Sequence, residues 1–347
     1  MTTLPAPRFT DPFDAPVLRW GVLAPGGIAR DFVSALQQHT SQKVVAAGSR
    51  SLERAESFVR EFGLDRAYGS YRELVEDPEI DVVYVSSTHN AHEELALAAI
   101  ASGKNVLVEK PAASTAAAAQ RIADAARAAG VFVMEAMWTR YLPHVDVARQ
   151  LLENGELGEV GLVAADFGFP AAYDPESRMF DPAKAGGALL DLGVYPISFA
   201  QFALPALAEA PAVHAFGTLA ATGVDAQTSL VLETGAGAQA LLSVSITASL
   251  PAAASIGGSR GRIEVHAPFW SPSDLTFTPV QGEPATFIDP SGIRGRDGFA
   301  YEGAAVARYI SDGLLDSPLH PFSEAIATLR IIDEARRQLG YRADWDE

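Results

Sequence analysis

Cysteine is absent from the 347-residue sequence. Its absence excludes disulfides, thiolate nucleophiles and zinc or iron–sulfur sites held by cysteine. Long apolar runs are also absent, since no segment reaches the roughly 20 consecutive apolar residues of a membrane-spanning helix. The first seven residues, Met1 to Pro7, lack the basic and apolar regions of a secretory signal peptide. We therefore expect a cytoplasmic protein that does not bind membranes.

Lysine is scarce, because four of the 26 basic residues are lysine and the rest are arginine. Acidic residues number 43, and the formal net charge is −17. A chain with this charge repels nucleic acid and anionic membranes at long range, so neither is expected as a partner. One local basic pocket for an anionic cofactor remains possible. The arginines of the predicted helices are expected to be solvated: Arg121, Arg127, Arg330, Arg336 and Arg337.

The pattern of the chain changes near Arg140. Residues 1–16 are proline-rich and are expected to form a tail. Between 17 and 140, nearly continuous apolar strands alternate with helices, which is typical of a parallel sheet covered on both faces. From 141 to 347, alternating apolar and polar segments predict an α+β domain with a large, mostly antiparallel sheet. The predicted elements of this region include a strand at 238–249 and helices at 187–202, 301–315 and 321–339.

A glycine-containing turn follows the first predicted strand. Ala24-Pro-Gly-Gly-Ile-Ala29 matches the G-x-G-x-x-G/A pattern, with Ala24 in place of the first glycine. Gly26 lets the backbone approach a pyrophosphate, and the helix that begins at Gly27 and Ile28 presents free N–H groups to it. The alternative is an ordinary strand–helix turn. Its position in a βαβ unit favours a dinucleotide-binding Rossmann domain.

The end of the second strand indicates which dinucleotide binds. NAD sites usually place an acidic residue there for the ribose 2′-hydroxyl. Here Arg50 can pair with a 2′-phosphate, and Ser49 and Ser51 can hydrogen-bond to it. We therefore predict NADP(H). In the alternative, Arg50 is solvated and Glu53 is the acidic residue that binds the ribose 2′-hydroxyl of NAD.

Lys110 ends an apolar strand, at the edge where open α/β sheets bind ligands. Its ammonium can lower the pKa of a nearby phenol or hold a substrate hydroxyl, although a solvated lysine would fit the fragment as well. In the second domain, Asp191 and Tyr195 are four residues apart on a predicted helix and share a face. Pro196 should kink that helix. In the alternative interpretation, Asp191 is a capping residue and Tyr195 packs in the core.

Three other signals carry less weight. Gly257-Gly-Ser-Arg-Gly261 matches a hydrolase nucleophile elbow, but a strand follows it, so a hairpin turn is predicted. His89 and His92 lack an accompanying carboxylate motif, so no metal site is expected. Phe269-Trp270 could line a substrate mouth, a subunit contact or the core.

These motifs together resemble the glucose–fructose oxidoreductase/inositol dehydrogenase (Gfo/Idh/MocA) family. The matching stretches are 20–29, 83–92, 108–111 and 186–195. Many members carry histidine where this chain has Tyr195, and the tyrosine places it closest to the branch of dihydrodiol and D-xylose dehydrogenases. The resemblance implies that Lys110, Tyr195 and Asp191 are catalytic, with Asp191 orienting the substrate or the proton relay. The residues expected to bind NADP(H) are Ala24, Gly26, Gly27, Ile28, Ala29, Ser49, Arg50, Ser51, Arg54, Ser87, Thr88, Asn90, His92, Glu109, Lys110, Trp138 and Arg140.

The implied reaction moves a hydride between nicotinamide and a secondary alcohol or carbonyl of a cyclic diol or sugar. Tyr195 would take the hydroxyl proton, and because a phenol has an ordinary pKa of about 10, Lys110 would supply the charge that favours phenolate. The alternatives are an aldose 1-dehydrogenase, a keto-sugar reductase of the anhydrofructose type and an NADP(H)-binding sensor without turnover. The resemblance also implies a homodimer, or a dimer of dimers, formed through the C-terminal sheet.

Overall fold

The computed structural model describes residues 4–8 and 11–341, which form two compact units. The Rossmann unit comprises 11–141 and 293–326, and the sheet unit comprises 4–8, 142–292 and 327–341. These limits differ from the three consecutive segments expected from the sequence, because the segment 293–326 returns to the Rossmann unit. There the ring of Phe299 packs against those of Trp138 and Phe32, with centroids 4.4 and 6.3 Å away. Parts of the expected tail and C-terminus, 1–3, 9–10 and 342–347, lie outside the described residues.

A parallel sheet forms the centre of the Rossmann unit. Its strands are β1 (Arg19–Leu23), β2 (Lys43–Gly48), β3 (Arg66–Tyr68), β4 (Val82–Val85), β5 (Asn105–Glu109) and β6 (Val133–Ala136). They are all parallel and lie in the order β3-β2-β1-β4-β5-β6. The carboxyl ends of β2, β1, β4 and β5 are therefore neighbours at one edge, where the predicted cofactor residues follow.

Polar side chains and glycines mark the ends of several helices in the Rossmann unit. Ser51, Ser70 and Thr115 cap helix N-termini with their side-chain oxygens. Gly63 and Gly130 end two helices in the left-handed conformation that favours glycine. Within the described residues the helices are α1 (Gly27–His39), α2 (Leu52–Phe62), α3 (Tyr71–Val75), α4 (His92–Ala101), α5 (Ala116–Ala129), α6 (Pro143–Glu153), α7 (Val194–Ala203), α8 (Phe299–Ser311) and α9 (Phe322–Leu339). Along this part of the chain, no helix is both long and apolar enough to cross a membrane.

An eight-stranded sheet dominates the sheet unit. Its strands are β7 (Val160–Gly168), β8 (Ala212–Leu219), β9 (Asp225–Glu233), β10 (Gln239–Ser245), β11 (Ala254–Gly258), β12 (Gly261–Val265), β13 (Leu275–Pro279) and β14 (Ala285–Phe287). Their order is β14-β13-β12-β11-β7-β10-β9-β8, and every pair is antiparallel except β7 with β10. The predicted fold class, a Rossmann domain followed by a large, mostly antiparallel sheet, is confirmed.

Two predicted elements differ in the structure for local reasons. The strand predicted at 238–249 ends at Ser245, because the Ser245 hydroxyl accepts the N–H groups of Thr247 and Ala248 and turns the chain. The single helix predicted at 187–202 is replaced by a π-helical turn, Leu189–Gly193, followed by α7. Pro196 supplies no N–H to the preceding turn, so the α-helical ladder is interrupted where Asp191 lies.

Candidate active site

The first strand of the Rossmann unit ends in a turn that leads into α1. β1 ends at Leu23, and Gly26 precedes α1 in an extended conformation. A side chain at Gly27 would meet no atom within 4 Å, so the approach to the helix N-terminus is open. The first amides of a helix have no acceptor within it and attract a phosphate. The turn continues through Ile28 and Ala29 in α1, and dinucleotide binding by these residues remains a prediction.

Ala24 keeps the backbone shape that glycine would give this turn. Its φ of 59° lies in the left-handed region, which costs a residue with a side chain roughly 1–2 kcal/mol. The Ala24 N–H donates to the Gly48 carbonyl at 3.0 Å. The ends of β1 and β2 are thereby held side by side, with strain at the position where the motif usually has glycine.

The residues predicted to select the cofactor follow β2 at the same edge. The Ser51 N–H donates to Ser49 Oγ at 3.2 Å, and Ser51 Oγ caps α2 by accepting the N–H of Arg54. Arg50 and Arg54 are exposed, so both guanidinium groups are open to solvent at this edge. Glu53 is also exposed in the first turn of α2. The two arginines that could bind a 2′-phosphate and the glutamate that could bind a 2′-hydroxyl therefore all lie at the end of β2.

His92 links the segment after β4 to the segment after β5. Its ring is buried, with Nδ1 2.7 Å from the Pro111 carbonyl and Nε2 3.1 Å from the Ser87 carbonyl. Burial lowers the pKa of His92 although both carbonyls oppose that change. Beside it, the Thr88 hydroxyl donates to Asn90 Oδ1 at 2.7 Å. These four predicted cofactor residues form one connected group at the sheet edge, and cofactor binding by them remains a prediction.

Lys110 follows β5 in a turn with extensive backbone support. The Lys110–Pro111 peptide bond is cis. The Lys110 N–H donates to Glu109 Oε2 at 3.1 Å, and the Tyr84 hydroxyl donates to Glu109 Oε1. Burial raises the pKa of Glu109, which the Tyr84 bond and the Lys110 charge partly offset. The Ala112 N–H donates to Glu135 Oε1 at 2.8 Å. The turn is thus fixed on both sides of the lysine.

A buried ionic network stands behind this turn. Glu135 Oε2 lies 2.8 Å from His320 Nε2, and His320 Nδ1 lies 3.4 Å from Glu324 Oε2. Arg140 donates to the same Glu324 oxygen. Burial alone would lower the pKa of His320, but hydrogen bonds to Glu135 and Glu324 raise it. Arg140, a predicted cofactor residue, therefore forms part of a network that supports the Lys110 turn.

Two further buried groups lie in the Rossmann unit. Trp138 is 1% exposed and packs on Phe299. Its expected part in binding NADP(H) remains a prediction. Glu302 on α8 is fully buried, and neither carboxylate oxygen has a hydrogen-bond partner among the described residues. Burial raises the pKa of Glu302 well above its ordinary value, and the charge of Glu109 adds to this. The surroundings of Glu302 therefore favour the neutral form of its carboxyl group.

In the sheet unit, Asp191 lies in the π-helical turn and is almost buried. Arg178 Nη1 donates to Asp191 Oδ1 at 2.9 Å. The pattern i, i+4 that predicted a common α-helical face for Asp191 and Tyr195 is interrupted by this turn. Arg178 was missed by the sequence reasoning, because it lies on an irregular segment whose neighbours do not indicate chemistry.

Tyr195 lies in the first turn of α7 among aromatic rings. Its ring is 5.7 Å from that of Phe167 and 6.0 Å from that of Trp270, and these two rings stack on each other at 5.0 Å. Phe269 is fully buried, so the core alternative holds for Phe269 while Trp270 lies beside Tyr195. Tyr195 therefore belongs to an aromatic cluster with Phe167 and Trp270.

The other weak signals have structural explanations. Ser259 lies in the hairpin between β11 and β12, and its hydroxyl accepts the Glu159 N–H at 3.0 Å, which confirms the predicted turn. The His89 and His92 rings are 5.8 Å apart. Residues 4–8 and 11–341 hold no group of three or more His, Asp or Glu side chains that could bind a metal. Arg336 is 3% exposed, so the prediction of a solvated side chain is wrong for this residue, for which α9 provides a buried site.

The two units hold different parts of the predicted chemistry. The Rossmann unit contains the dinucleotide turn, Arg50 and Lys110, and the open N-terminus of α1 together with the exposed guanidinium groups fits a nicotinamide dinucleotide. The sheet unit contains Asp191 and Tyr195, which can exchange a proton with a hydroxyl. The pairing of Lys110 with Tyr195 remains a prediction from the sequence.

Comparison with known proteins identifies both parts of the chain. The family model described as the GFO_IDH_MocA oxidoreductase family with an NAD-binding Rossmann fold matches residues 18–137, and the GFO/IDH/MocA C-terminal domain matches residues 145–264. A trans-1,2-dihydrobenzene-1,2-diol dehydrogenase from Xenopus tropicalis is 37% identical over 330 residues, covering 93% of this chain and 98% of that protein. The dehydrogenase of the same name from Mus musculus is 36% identical over 333 residues, covering 93% and 97%.

A solved structure agrees with these relatives. A 3-ketoreductase from Actinomadura kijaniata, in complex with TDP-benzene and NADP, superposes with a TM-score of 0.75 and 27% identity, covering 92% of this chain and 96% of that one. The family resemblance predicted from the motifs is thereby confirmed. With both parts of its sequence matched and relatives that are similar along nearly its whole length, the chain belongs to the GFO/IDH/MocA oxidoreductase family.

Proposed function

We propose that this protein is an NADP-dependent oxidoreductase that interconverts a secondary alcohol and a carbonyl on a cyclic diol or sugar, with a trans-dihydrodiol as the leading substrate. One observation carries the proposal: Lys110 follows β5 at the same sheet edge as the dinucleotide turn after β1, with only β4 between these strands. A titratable side chain is thereby placed at the edge where open α/β sheets bind their ligands.

The cofactor would be held by groups that the Rossmann unit presents at that edge. The amides of α1 after Gly26 would bind the pyrophosphate, and Arg50 with Arg54 would pair with the 2′-phosphate of NADP(H). The 3-ketoreductase structure, which contains NADP, supports this choice. When bound, the nicotinamide accepts or donates the hydride.

The side chains of this chain perform the proton chemistry. In the direction of oxidation, Tyr195 accepts the substrate hydroxyl proton. Asp191, whose carboxylate is fixed by Arg178, orients the substrate hydroxyls by accepting hydrogen bonds from them. Lys110 contributes positive charge that favours the anionic form of a phenol. In the direction of reduction, Tyr195 returns the proton to the new alkoxide.

A homodimer is part of the same proposal. One face of the eight-stranded sheet carries exposed apolar side chains: Phe216 is 73% exposed, and Leu162 and Leu241 are each 44% exposed. The strand register puts all three on that face. Leu241 pairs with Ala164, two residues after Leu162 on β7. Phe216 pairs with Ser229, which pairs with Ser243, two residues after Leu241 on β10. Because an apolar patch on a soluble protein marks an interaction surface, we expect Leu241→Glu to convert a dimer into a monomer in analytical ultracentrifugation.

The activity test uses a panel of substrates and measures turnover by the absorbance of the reduced cofactor. NADP⁺ and NAD⁺ are offered separately with trans-dihydrodiols, D-xylose, D-glucose and myo-inositol. Turnover of dihydrodiols with NADP⁺ supports the proposal. A lactone product from an aldose favours the aldose 1-dehydrogenase, and turnover only with NADPH and keto sugars favours the reductase. Binding of NADPH without turnover of any substrate favours the sensor.

A further inference from the structure

A buried carboxylate outside the predicted catalytic set reaches the start of the segment that carries Asp191. Asp225 is the first residue of β9 and is fully buried. Its Oδ2 accepts the backbone N–H of Leu189 at 2.6 Å. Leu189 begins the π-helical turn, two residues before Asp191. The carboxylate therefore caps the element that presents Asp191 and, one turn later, Tyr195.

Two glycines allow this cap to approach. Gly187 has a φ of +116°, and a Cβ at this position would lie 2.2 Å from Asp225 Oδ1. A Cβ at Gly186 would lie 2.8 Å from the Met179 carbonyl. The Gly187 N–H donates to that same carbonyl at 2.9 Å. The glycine pair is thus enclosed between Asp225 and the segment that carries Arg178, which explains in steric terms why both positions are glycine.

A buried arginine balances the charge of this cap. Arg336 on α9 is 3% exposed, and its guanidinium lies 4.5 Å from the ring centroid of Tyr341. Burial raises the pKa of Asp225 to about 6, although the positive charge of Arg336 and the N–H groups of Leu189 and Ala188 lower it. The carboxylate is therefore largely ionised above neutral pH, where its hydrogen bond to the π-helical turn is strongest.

We infer that Asp225 is a positioning residue that sets the orientation of Asp191 and Tyr195 by capping the π-helical turn against Gly187. The inference rests on the proposed function, because it gives Asp191 and Tyr195 a catalytic role. The Asp191 N–H points at the Gly187 carbonyl at 3.4 Å, and Arg178 holds Asp191 Oδ1. Loss of the cap therefore frees the turn at its start and lets the Asp191 carboxylate move relative to Arg178.

The test compares Asp225→Ala, which removes the acceptor, with Asp225→Asn, which keeps an acceptor oxygen. Misplacing catalytic groups by about 1 Å can cost roughly 100-fold in rate. We expect kcat to fall roughly 10- to 100-fold in Asp225→Ala, with the Kd for NADPH unchanged, and to recover to within about 5-fold of the wild type in Asp225→Asn. Asp146→Ala is the matched control, because Asp146 is also buried in the sheet unit, accepts the Arg8 backbone N–H at 2.7 Å and pairs with the Arg8 guanidinium. The control should keep wild-type kcat.

Hydrogen–deuterium exchange of the peptide covering 187–195 gives a readout that does not require turnover. We expect faster exchange there in Asp225→Ala and wild-type exchange in Asp146→Ala. Unchanged exchange and unchanged kcat in a folded Asp225→Ala would overturn the inference. If the wild type turns over no alcohol or carbonyl, the proposed function fails, and the exchange result still decides whether Asp225 fixes the turn.

If Asp225→Ala does not fold, Asp225→Asn tests the inference. Normal kcat with normal exchange at 187–195 would support the cap, because the hydrogen bond to Leu189 survives without the charge. A loss of kcat with normal exchange would overturn it, since the carboxylate would then act through its charge and not by positioning the turn.

Discussion

The backbone amide of Ala112 donates to a carboxylate oxygen of Glu135 at 2.8 Å, and His320 faces the other oxygen of that carboxylate at 2.8 Å. Ala112 lies two residues after Lys110. Both Glu135 and His320 are buried. The turn that carries the predicted catalytic lysine is therefore held by an ion pair whose charge depends on one histidine.

We predict that the stability of the protein declines as pH rises above neutrality because of His320. Burial lowers the pKa of His320, but hydrogen bonds to Glu135 and Glu324 outweigh it and raise the pKa above 6.5. The imidazolium therefore stabilises the folded state fully below pH 6.5, and this contribution is lost as pH rises through the pKa in the folded protein. Urea unfolding from about pH 6 to about pH 9 should show this decline, and His320→Gln should flatten it.

His144→Gln is the control for that experiment. Burial lowers the pKa of His144 to about 4, so this ring is neutral in both the folded and the unfolded chain across the upper part of the same pH range. Its variant should keep the decline seen in the wild type. An equally steep decline in His320→Gln would show that another group is responsible.

A larger side chain at position 24 should destabilise the protein because of the backbone conformation there. Its φ of 59° suits glycine, and a β-branched residue there is strained by roughly 1–3 kcal/mol. Because Ala24 already carries part of this strain, we expect Ala24→Val to lower the free energy of unfolding by about 1 kcal/mol and to weaken NADPH binding. Ala24→Gly relieves the strain and should leave NADPH binding unchanged. Thermal unfolding and fluorescence titration measure the two effects.

Ala67→Val provides the comparison, because Ala67 lies in the extended strand β3, where a β-branched residue is favoured. Equal effects of valine at both positions would contradict the account of the turn.

Replacing Arg50 and Arg54 together with alanine should weaken the use of NADP⁺ selectively. A hydrogen bond to a charged group contributes about 1.5–3 kcal/mol, so kcat/KM for NADP⁺ should fall roughly 10- to 100-fold while kcat/KM for NAD⁺ stays unchanged. Glu53→Gln tests the alternative from the same helix turn. If Glu53 holds a ribose hydroxyl, its variant loses activity with NAD⁺, and the arginine variant keeps its activity with NADP⁺.

Arg178→Met should affect the substrate and not the cofactor. Arg178 donates to the Asp191 carboxylate at 2.9 Å, and its side chain is 55% exposed. Without it, Asp191 loses a fixed orientation, so we expect kcat/KM for the alcohol to fall about 10-fold or more with the Kd for NADPH unchanged. Arg262→Met, which removes an exposed arginine on β12, should leave both unchanged. Equal behaviour of the two variants would exclude a role for Arg178.

Local patterns predicted the elements whose signals are contained in the element itself. The strand before Lys110 was predicted from its apolar run and is present as β5. The signals of α2 are equally local, since Ser51 caps its start and Gly63 ends it. β11 was missed because Gly257 and Gly258 resemble a turn, and its pairing with β7 determines its conformation. Pro196 predicted a kink in the helix that carries Asp191, but the apolar pattern does not show that the interruption takes the form of a π-helical turn.

The sequence could nominate candidate site residues where a motif carries the chemistry in consecutive residues. Gly26, Lys110 and Tyr195 belong to such motifs. Their supporting groups could not be predicted, because Glu135 and His320 are 185 residues apart in the chain. The burial of Arg336 could not be predicted either. The pattern of the predicted helix indicated a solvated arginine, and the packing of α9 buries it.

The most direct test of the account is the rate of NADPH formation from a trans-dihydrodiol by the wild type and by Tyr195→Phe. The phenylalanine ring keeps the packing against Phe167 and Trp270 and removes the hydroxyl that takes the proton. The account predicts turnover by the wild type, a decrease in kcat of roughly 10²- to 10⁴-fold in the variant and an unchanged Kd for NADPH. Equal turnover by the two proteins would contradict it.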